Sequence, residues 1–254
     1  MRIRRRRAVV SRCMAVTAIL ASACGESQGL GAQALATGDA DAYLGNWWPS
    51  QRSVFAKHLK SGDVDVLGTL VTGTTYAPAV PKYVADEHGI RSLADLESNA
   101  DLFSGKFLGI EPGTPGNQYI LDAIKQNAYG LGGWQLVQSS TPAMLAEVEH
   151  HVSQEKPVVF LGWEPHWMNV DWELVYLDDP QQVWPGAGEI RVATRKDFAS
   201  DNPNVARFLS QLKIDRDTAS EGFSNSVRKR FPPRKSLETG SARTPTWSVN
   251  GCVV

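Results

Sequence analysis

Phe107-Leu-Gly-Ile-Glu-Pro-Gly-Thr-Pro-Gly-Asn117 is the stretch that decides the fold class. A short apolar strand, residues 107–111, runs into a Gly/Pro turn. Residues 118–127 follow with apolar side chains at helical spacing, at Ile120, Ala123 and Ile124. A strand ending in a turn that opens a helix presents backbone N–H groups at one point, here together with the Asn117 amide. The alternation continues on both sides. Downstream, residues 135–139 read as a strand, and a helix runs from Thr141, taken as N-cap with Pro142 behind it, to about Glu155. Residues 158–162 are wholly apolar, as in a strand buried on both faces. Residues 173–177 and 189–194 read as strands and 204–212 as a helix; upstream, 64–71 is a strand and 86–96 holds a short helix. This order predicts an α/β fold, in which ligands bind beyond the carboxyl ends of the strands.

The chain has 254 residues, 42% hydrophobic and 21% charged, the composition of an ordinary globular protein. Its net charge of −1 conceals a segregation. Residues 1–24 carry six Arg and no acid, and residues 221–254 carry six basic residues against two acids. The 196 residues between them hold 14 basic and 25 acidic groups, the wrong sign for a nucleic-acid footprint. Cys13, Cys24 and Cys252 are scattered and predict no disulfide or metal spacing.

The N-terminus places an Arg run before the mostly apolar residues 13–20 and the Ala21-Ser-Ala23 segment, the order of a secretory signal. The apolar run is shorter than the roughly 20 residues that span a bilayer. Cys24, just after the candidate cleavage site, is a candidate lipid anchor. An alternative reading makes residues 14–23 a helix of the fold. After Glu221 no 3.6 or 2.0 period survives, so residues 222–254 read as an unpatterned tail.

Enzyme signals are sparse. There is no G-x-S-x-G elbow and no Walker-type phosphate loop. Gly29-Leu-Gly-Ala-Gln-Ala34 fits a loose G-x-G-x-x-A but follows no strand. His150, His151, Glu164 and His166 form a conceivable metal-hydrolase set whose spacing matches no short metal signature. Neither a metal nor a cofactor is expected.

Aromatic placement is more informative. Of eight Trp, several fall in segments that read as loops, namely Trp47, Trp48, Trp163, Trp167, Trp172 and Trp184. Rings converging on one point form a box whose negative π-faces attract a quaternary ammonium, a group unable to donate a hydrogen bond. A neutral amide such as Asn117 then orients the ligand's polar end.

Leu44-Gly-Asn-Trp-Trp-Pro49, Thr75-Tyr-Ala-Pro-Ala-Val-Pro81, Gly109-Ile-Glu-Pro-Gly-Thr-Pro-Gly-Asn117 and Phe160-Leu-Gly-Trp-Glu-Pro-His166 resemble the substrate-binding proteins of choline and glycine-betaine ABC transporters, above all the periplasmic choline-binding branch. The resemblance covers about residues 34–218. It implies a two-lobed, type II periplasmic-binding-protein fold, with residues 34–76 plus 186–221 as a discontinuous first lobe and 77–185 as the second. Residues 1–33 are then a signal-like or aberrant segment. It further implies cage aromatics at Trp47 (or its neighbour Trp48), Tyr76 and Trp163, a ligand-orienting amide at Asn117, a membrane permease as partner, a monomer, and a periplasmic or extracytoplasmic location, with a membrane anchor as a variant. Choline is expected over betaine or carnitine because no Arg or Lys lies in these motifs to pair with a carboxylate. Family members also begin with a strand carrying Trp-x-Asp, which nothing before Trp47 matches; residues 15–20 resemble the helix that follows that strand. The family's C-terminal helices are matched by nothing after Glu221. The first lobe is therefore expected to be incomplete at both ends, and a truncated, non-binding copy stands as the alternative.

Overall fold

A computed structural model describes residues 18–19 and 28–222. The Arg run, the three cysteines and the tail after residue 222 lie outside the described residues. The strands are β1 (Ala18–Ile19), β2 (Ala42–Trp48), β3 (Val64–Pro81), β4 (Lys106–Leu108), β5 (Gln135–Val137), β6 (Phe160–Glu164), β7 (Leu174–Tyr176) and β8 (Gly188–Arg195). Between them lie α1 (Gln28–Thr37), α2 (Arg52–Ser61), α3 (Lys82–His88), α4 (Pro115–Lys125), α5 (Thr141–Ser153), α6 (Met168–Asp171), α7 (Phe198–Asp201) and α8 (Pro203–Gln211). Residues 216–222 are also helical.

The strand order is β1-β2-β8-β3-β6-β4-β5, with β7 paired to β3 off that path. The 18-residue β3 joins the two halves. Its first part, Val64 to Thr74, pairs antiparallel with β8, and Thr75 to Ala79 pairs antiparallel with β6. Val80 and Pro81 continue on β7. β-branched residues recur through the first part, which suits a pleated surface packed from both sides.

On the β2-β8 side, adjacent residues point to opposite faces of the sheet. Tyr43, Val64 and Ala193 pack with Ala32 and Leu35 of α1 and Phe55 of α2. Ala42, Val71, Ile190 and Val192 pack with Phe198 of α7 and Ala206 and Leu209 of α8. Beyond the switch in β3, one larger cluster runs from Tyr76 to Trp184 and includes Phe107, Ile120, Met144, Phe160 and Leu161.

Several sequence expectations shift. Residues 29–34 lie inside α1, not in a phosphate loop. Ala18–Ile19, read as part of a helix-like stretch, is extended and pairs parallel with Ala42 and Tyr43. The N-cap of α5 is Ser140, whose hydroxyl accepts from Ala143 N at 3.3 Å. Thr141 is instead the first helical residue, and the Glu111 carboxylate accepts both its N–H (2.6 Å) and its hydroxyl (2.8 Å). The apolar strand is displaced to Phe160–Glu164, because β3 offers ladder partners out to Thr75. For the same reason Trp47, Trp48 and Trp163 are strand residues: β8 pairs Trp47 with Ile190 and Trp48 with Glu189.

At the end of β4, a Cβ on Gly109 would lie 2.6 Å from Asn117 Oδ1 and 2.7 Å from Leu136 Cδ1. Gly109→Ala is therefore expected to cost about 1–3 kcal/mol through overpacking, read as a lower midpoint in urea and thermal denaturation. A melt identical to the wild type would contradict this packing.

Candidate functional site

β2, β3 and β6 each deliver one ring to the place where the halves of the sheet meet. Tyr76 and Trp163 are direct cross-strand partners, their centroids 6.4 Å apart at 62°. Trp47 approaches Tyr76 from the other half, at 6.3 Å and 47°. Tyr76 thus neighbours both indoles and is itself buried. Its hydroxyl lies over Gly116, in the first turn of α4, where any Cβ would collide with it. The prolyl bonds that follow Trp48 and Glu164 are both cis.

The backbone of each tryptophan is held by a buried or half-buried amide. Gln51, 2% exposed, accepts the Trp47 backbone N–H on Oε1 at 3.1 Å, while its own backbone N–H donates to Trp47 O at 2.8 Å. Asn169 Nδ2 donates to Trp163 O at 2.8 Å and to His166 O at 3.2 Å, and its Oδ1 accepts from the Tyr176 hydroxyl at 2.8 Å. Burial, reinforced by the Glu164 carboxylate, pushes the Tyr176 phenol upward, so it remains a neutral donor. A Cβ on Gly162 would press on the Tyr176 ring at 2.9 Å, so a glycine is needed beside Trp163. Nothing in the local sequence pattern marks Gln51, Asn169 or Tyr176; their bonds depend on how the short turns after Trp47 and Trp163 close.

Trp48 faces the opposite side of β2 from Trp47, the side shared with Asn46 and Arg191. The Arg191 guanidinium lies over its ring, 4.0 Å from the centroid, and Arg191 Nε donates to Asn46 Oδ1 at 3.0 Å. The structure does not bring Trp48 to the Trp47–Tyr76–Trp163 row.

Asn117 is 1% exposed. Its Nδ2 donates to Ile110 O (2.9 Å), Glu111 O (3.0 Å) and Gln138 Oε1 (3.2 Å), and its Oδ1 accepts from Ile110 N at 3.0 Å. The amide is engaged by its own turn, one residue from the glycine that carries the Tyr76 hydroxyl.

His166 lies behind Trp163, ring centroids 4.9 Å apart, with Trp167 on its other side at 5.2 Å. Burial drives its pKa down to about 3, so the imidazole is neutral. His150 and His151 belong to α5, where His151 Nδ1 meets Pro157 O at 2.9 Å and His151 Nε2 lies 3.4 Å from Glu147. Among the described residues no group of three or more His, Cys, Asp or Glu is placed to hold a metal ion.

A family model described as the substrate-binding domain of ABC-type glycine betaine transport systems matches residues 25–227. The chain belongs to this family. The glycine betaine/carnitine transport binding protein GbuC of Listeria monocytogenes is 31% identical over 133 residues, which cover 51% of this chain and 44% of that protein. The chain spans less than two thirds of the length of the curated relatives it matches. An ABC-transporter choline-binding protein solved in complex with choline superimposes with a TM-score of 0.74 at 30% identity, covering 82% of this chain and 72% of that one. Lactococcal OpuAC, solved closed and liganded with glycine betaine, gives a TM-score of 0.63 at 27% identity over 80% and 81% of the two chains. The fold is therefore the two-lobed α/β fold of these periplasmic binding proteins, and the family consists of transport components, not enzymes.

Within this family member, the neutral state of His166 has a consequence for stability. Unfolding restores an ordinary pKa of 6.5, so between pH 6.5 and about 3 the unfolded chain binds the extra proton. Its contribution is whole above pH 6.5 and declines on acidification through that window, by up to about 1.4 kcal/mol per pH unit. Urea melts at pH 7, 5.5 and 4.5 are expected to show a shallower acid loss for His166→Gln than for wild type. Equal slopes would contradict a neutral, buried imidazole.

Proposed function

We propose that the protein is the extracytoplasmic solute-binding component of an ABC importer, and that it captures choline or a related quaternary ammonium compound between Trp47, Tyr76 and Trp163. The observation that carries this reading is the row of three rings itself: Tyr76 lies 6.3 Å from Trp47 and 6.4 Å from Trp163, with each indole contributed by a different half of the sheet. A trimethylammonium group has no N–H, so electron-rich faces in a dry cleft are the natural way to hold it. The likeness to the choline-bound structure, at 30% identity, lends independent support.

In this scheme Asn117 acts on the ligand through the turn that it braces, since its four bonds fix Ile110 and Glu111 beside the floor under Tyr76. The cation that approaches Trp48 is the protein's own Arg191, which leaves Trp48 outside the cage. Choline is favoured over a carboxylate-bearing betaine because no Arg or Lys lies in the ring motifs, while Arg216 pairs with Glu164 and Arg191 lies over Trp48, on the side of β2 away from Trp47. The lobes close on the ligand by hinging where β3 changes partner, and the closed form is presented to a membrane permease.

Calorimetric titration with choline, glycine betaine and carnitine tests the reading, with the tightest binding expected for choline. Removal of one cage wall by Trp163→Ala is expected to weaken choline binding about 10- to 30-fold, from loss of about 1.5–2 kcal/mol of desolvated cation–π attraction. Trp48→Phe is expected to leave it within about threefold. No heat with any of the three ligands, or an unchanged affinity in Trp163→Ala, would overturn the proposal.

A further inference from the structure

After α8 the chain runs along the first part of β3, where Ile214 N donates to Leu70 O at 2.9 Å and Lys213 Nζ donates to Thr69 O. Arg216 ends this run at the switch between the two halves. Its Nη1 donates to Gly73 O at 3.0 Å and stands 3.2 Å from Glu164 Oε2. Gly73 precedes Thr74, which is still paired with β8, whereas Glu164 sits opposite Thr75 on β6. Four residues further on, Ser220 Oγ accepts the His166 N–H at 3.2 Å. A segment anchored on one half of the sheet thus holds the Trp163-Glu-Pro-His166 stretch of the other half at two points, on either side of Pro165.

We propose that Arg216 is a positioning residue for the bound ligand: a latch that, by pairing with Glu164, holds Trp163 toward Trp47 and slows ligand release. Glu164 directly follows Trp163 in β6 and the guanidinium is tethered to Gly73 on the other side of the switch, so a hinge motion that turns Trp163 away from Trp47 strains this pair. Asp217, whose Oδ1 already lies 3.9 Å from Arg216 Nε and whose side chain is 81% exposed, remains as a partner for the guanidinium once the latch opens. The pair is partly solvated, with side-chain exposures of 41% for Arg216 and 22% for Glu164, which suits a contact made and broken in each cycle. The inference deepens the cage reading and rests on it for the identity of the ligand.

Stopped-flow kinetics with choline on the full chain provides the test. Arg216→Gln is expected to raise the dissociation rate about two- to fivefold with little change in the association rate. Wild-type dissociation is expected to quicken with added salt, and that of Arg216→Gln to be less sensitive. Charge reversal offers a control that a fold defect cannot mimic: Arg216→Glu and Glu164→Arg are each expected to release choline faster, and the double reversal to recover much of the loss. Unchanged dissociation in Arg216→Gln, or a double reversal no slower than the single ones, would overturn the latch. Spin labels at Lys57 and Lys125, with Cys13, Cys24 and Cys252 replaced by Ser, read the distance between the halves without ligand. A longer or broader distribution in Arg216→Gln supports the latch even should choline fail to bind the wild type, an outcome that would sink the cage reading alone; identical distributions count against the latch.

Discussion

A single backbone ladder governs the molecule. β3 passes from one half of the sheet to the other without a break, exchanging β8 for β6 between Thr74 and Thr75. Since strand neighbours lie about 4.8 Å apart, whatever β8 and β6 carry near that exchange is brought close to β3. Tyr76 is the second residue beyond it, paired with Trp163, while Trp47 arrives on β2 by way of Ile190 in β8. The meeting of three rings from three distant parts of the sequence is thus a product of register. A slip of one residue in β6 would turn Trp163 to the opposite face.

Around that row, buried polar groups fix backbone more than they face solvent. Gln51 clamps Trp47 at both its N–H and its carbonyl, and Asn169 holds the carbonyl of Trp163. Asn117 and Glu111 join the end of β4 to the starts of α4 and α5. In a medium with little water such bonds are costly to leave unmade, so each narrows the positions open to the aromatic it supports. Orientation-dependent attraction to a ring face rewards that rigidity.

The α/β alternation was legible along the chain because helices and buried strands leave different apolar periods, as at residues 107–127. The positions of the tryptophans were less so. Trp47 and Trp48 read locally as loop residues, yet pairing with β8 made residues 42–48 a strand with a shift in register after Tyr43. The ring trio came from a resemblance in four motifs, and the structure brings all three together; the separation of Trp47 from Trp48 follows only from strand alternation once β2 is known to be a strand. Asn117 carried a visible motif, but its partners Ile110, Glu111 and Gln138 depend on how the turn closes. Gln51 and Asn169 close turns of four to six residues that no apolar period marks, and Arg216 acts through bonds to Gly73 and Glu164 that exist only after the sheet forms.

Arg191 over Trp48 bears on stoichiometry. Adjacent tryptophans on one strand present their rings to opposite sides of the sheet. With a guanidinium from the same chain 4.0 Å above the Trp48 ring, a solute cation has to compete there with a tethered group of high effective concentration. The neighbouring indole, on the other side of the strand, has Tyr76 as its ring partner instead, so one strand carries two tryptophans with different company.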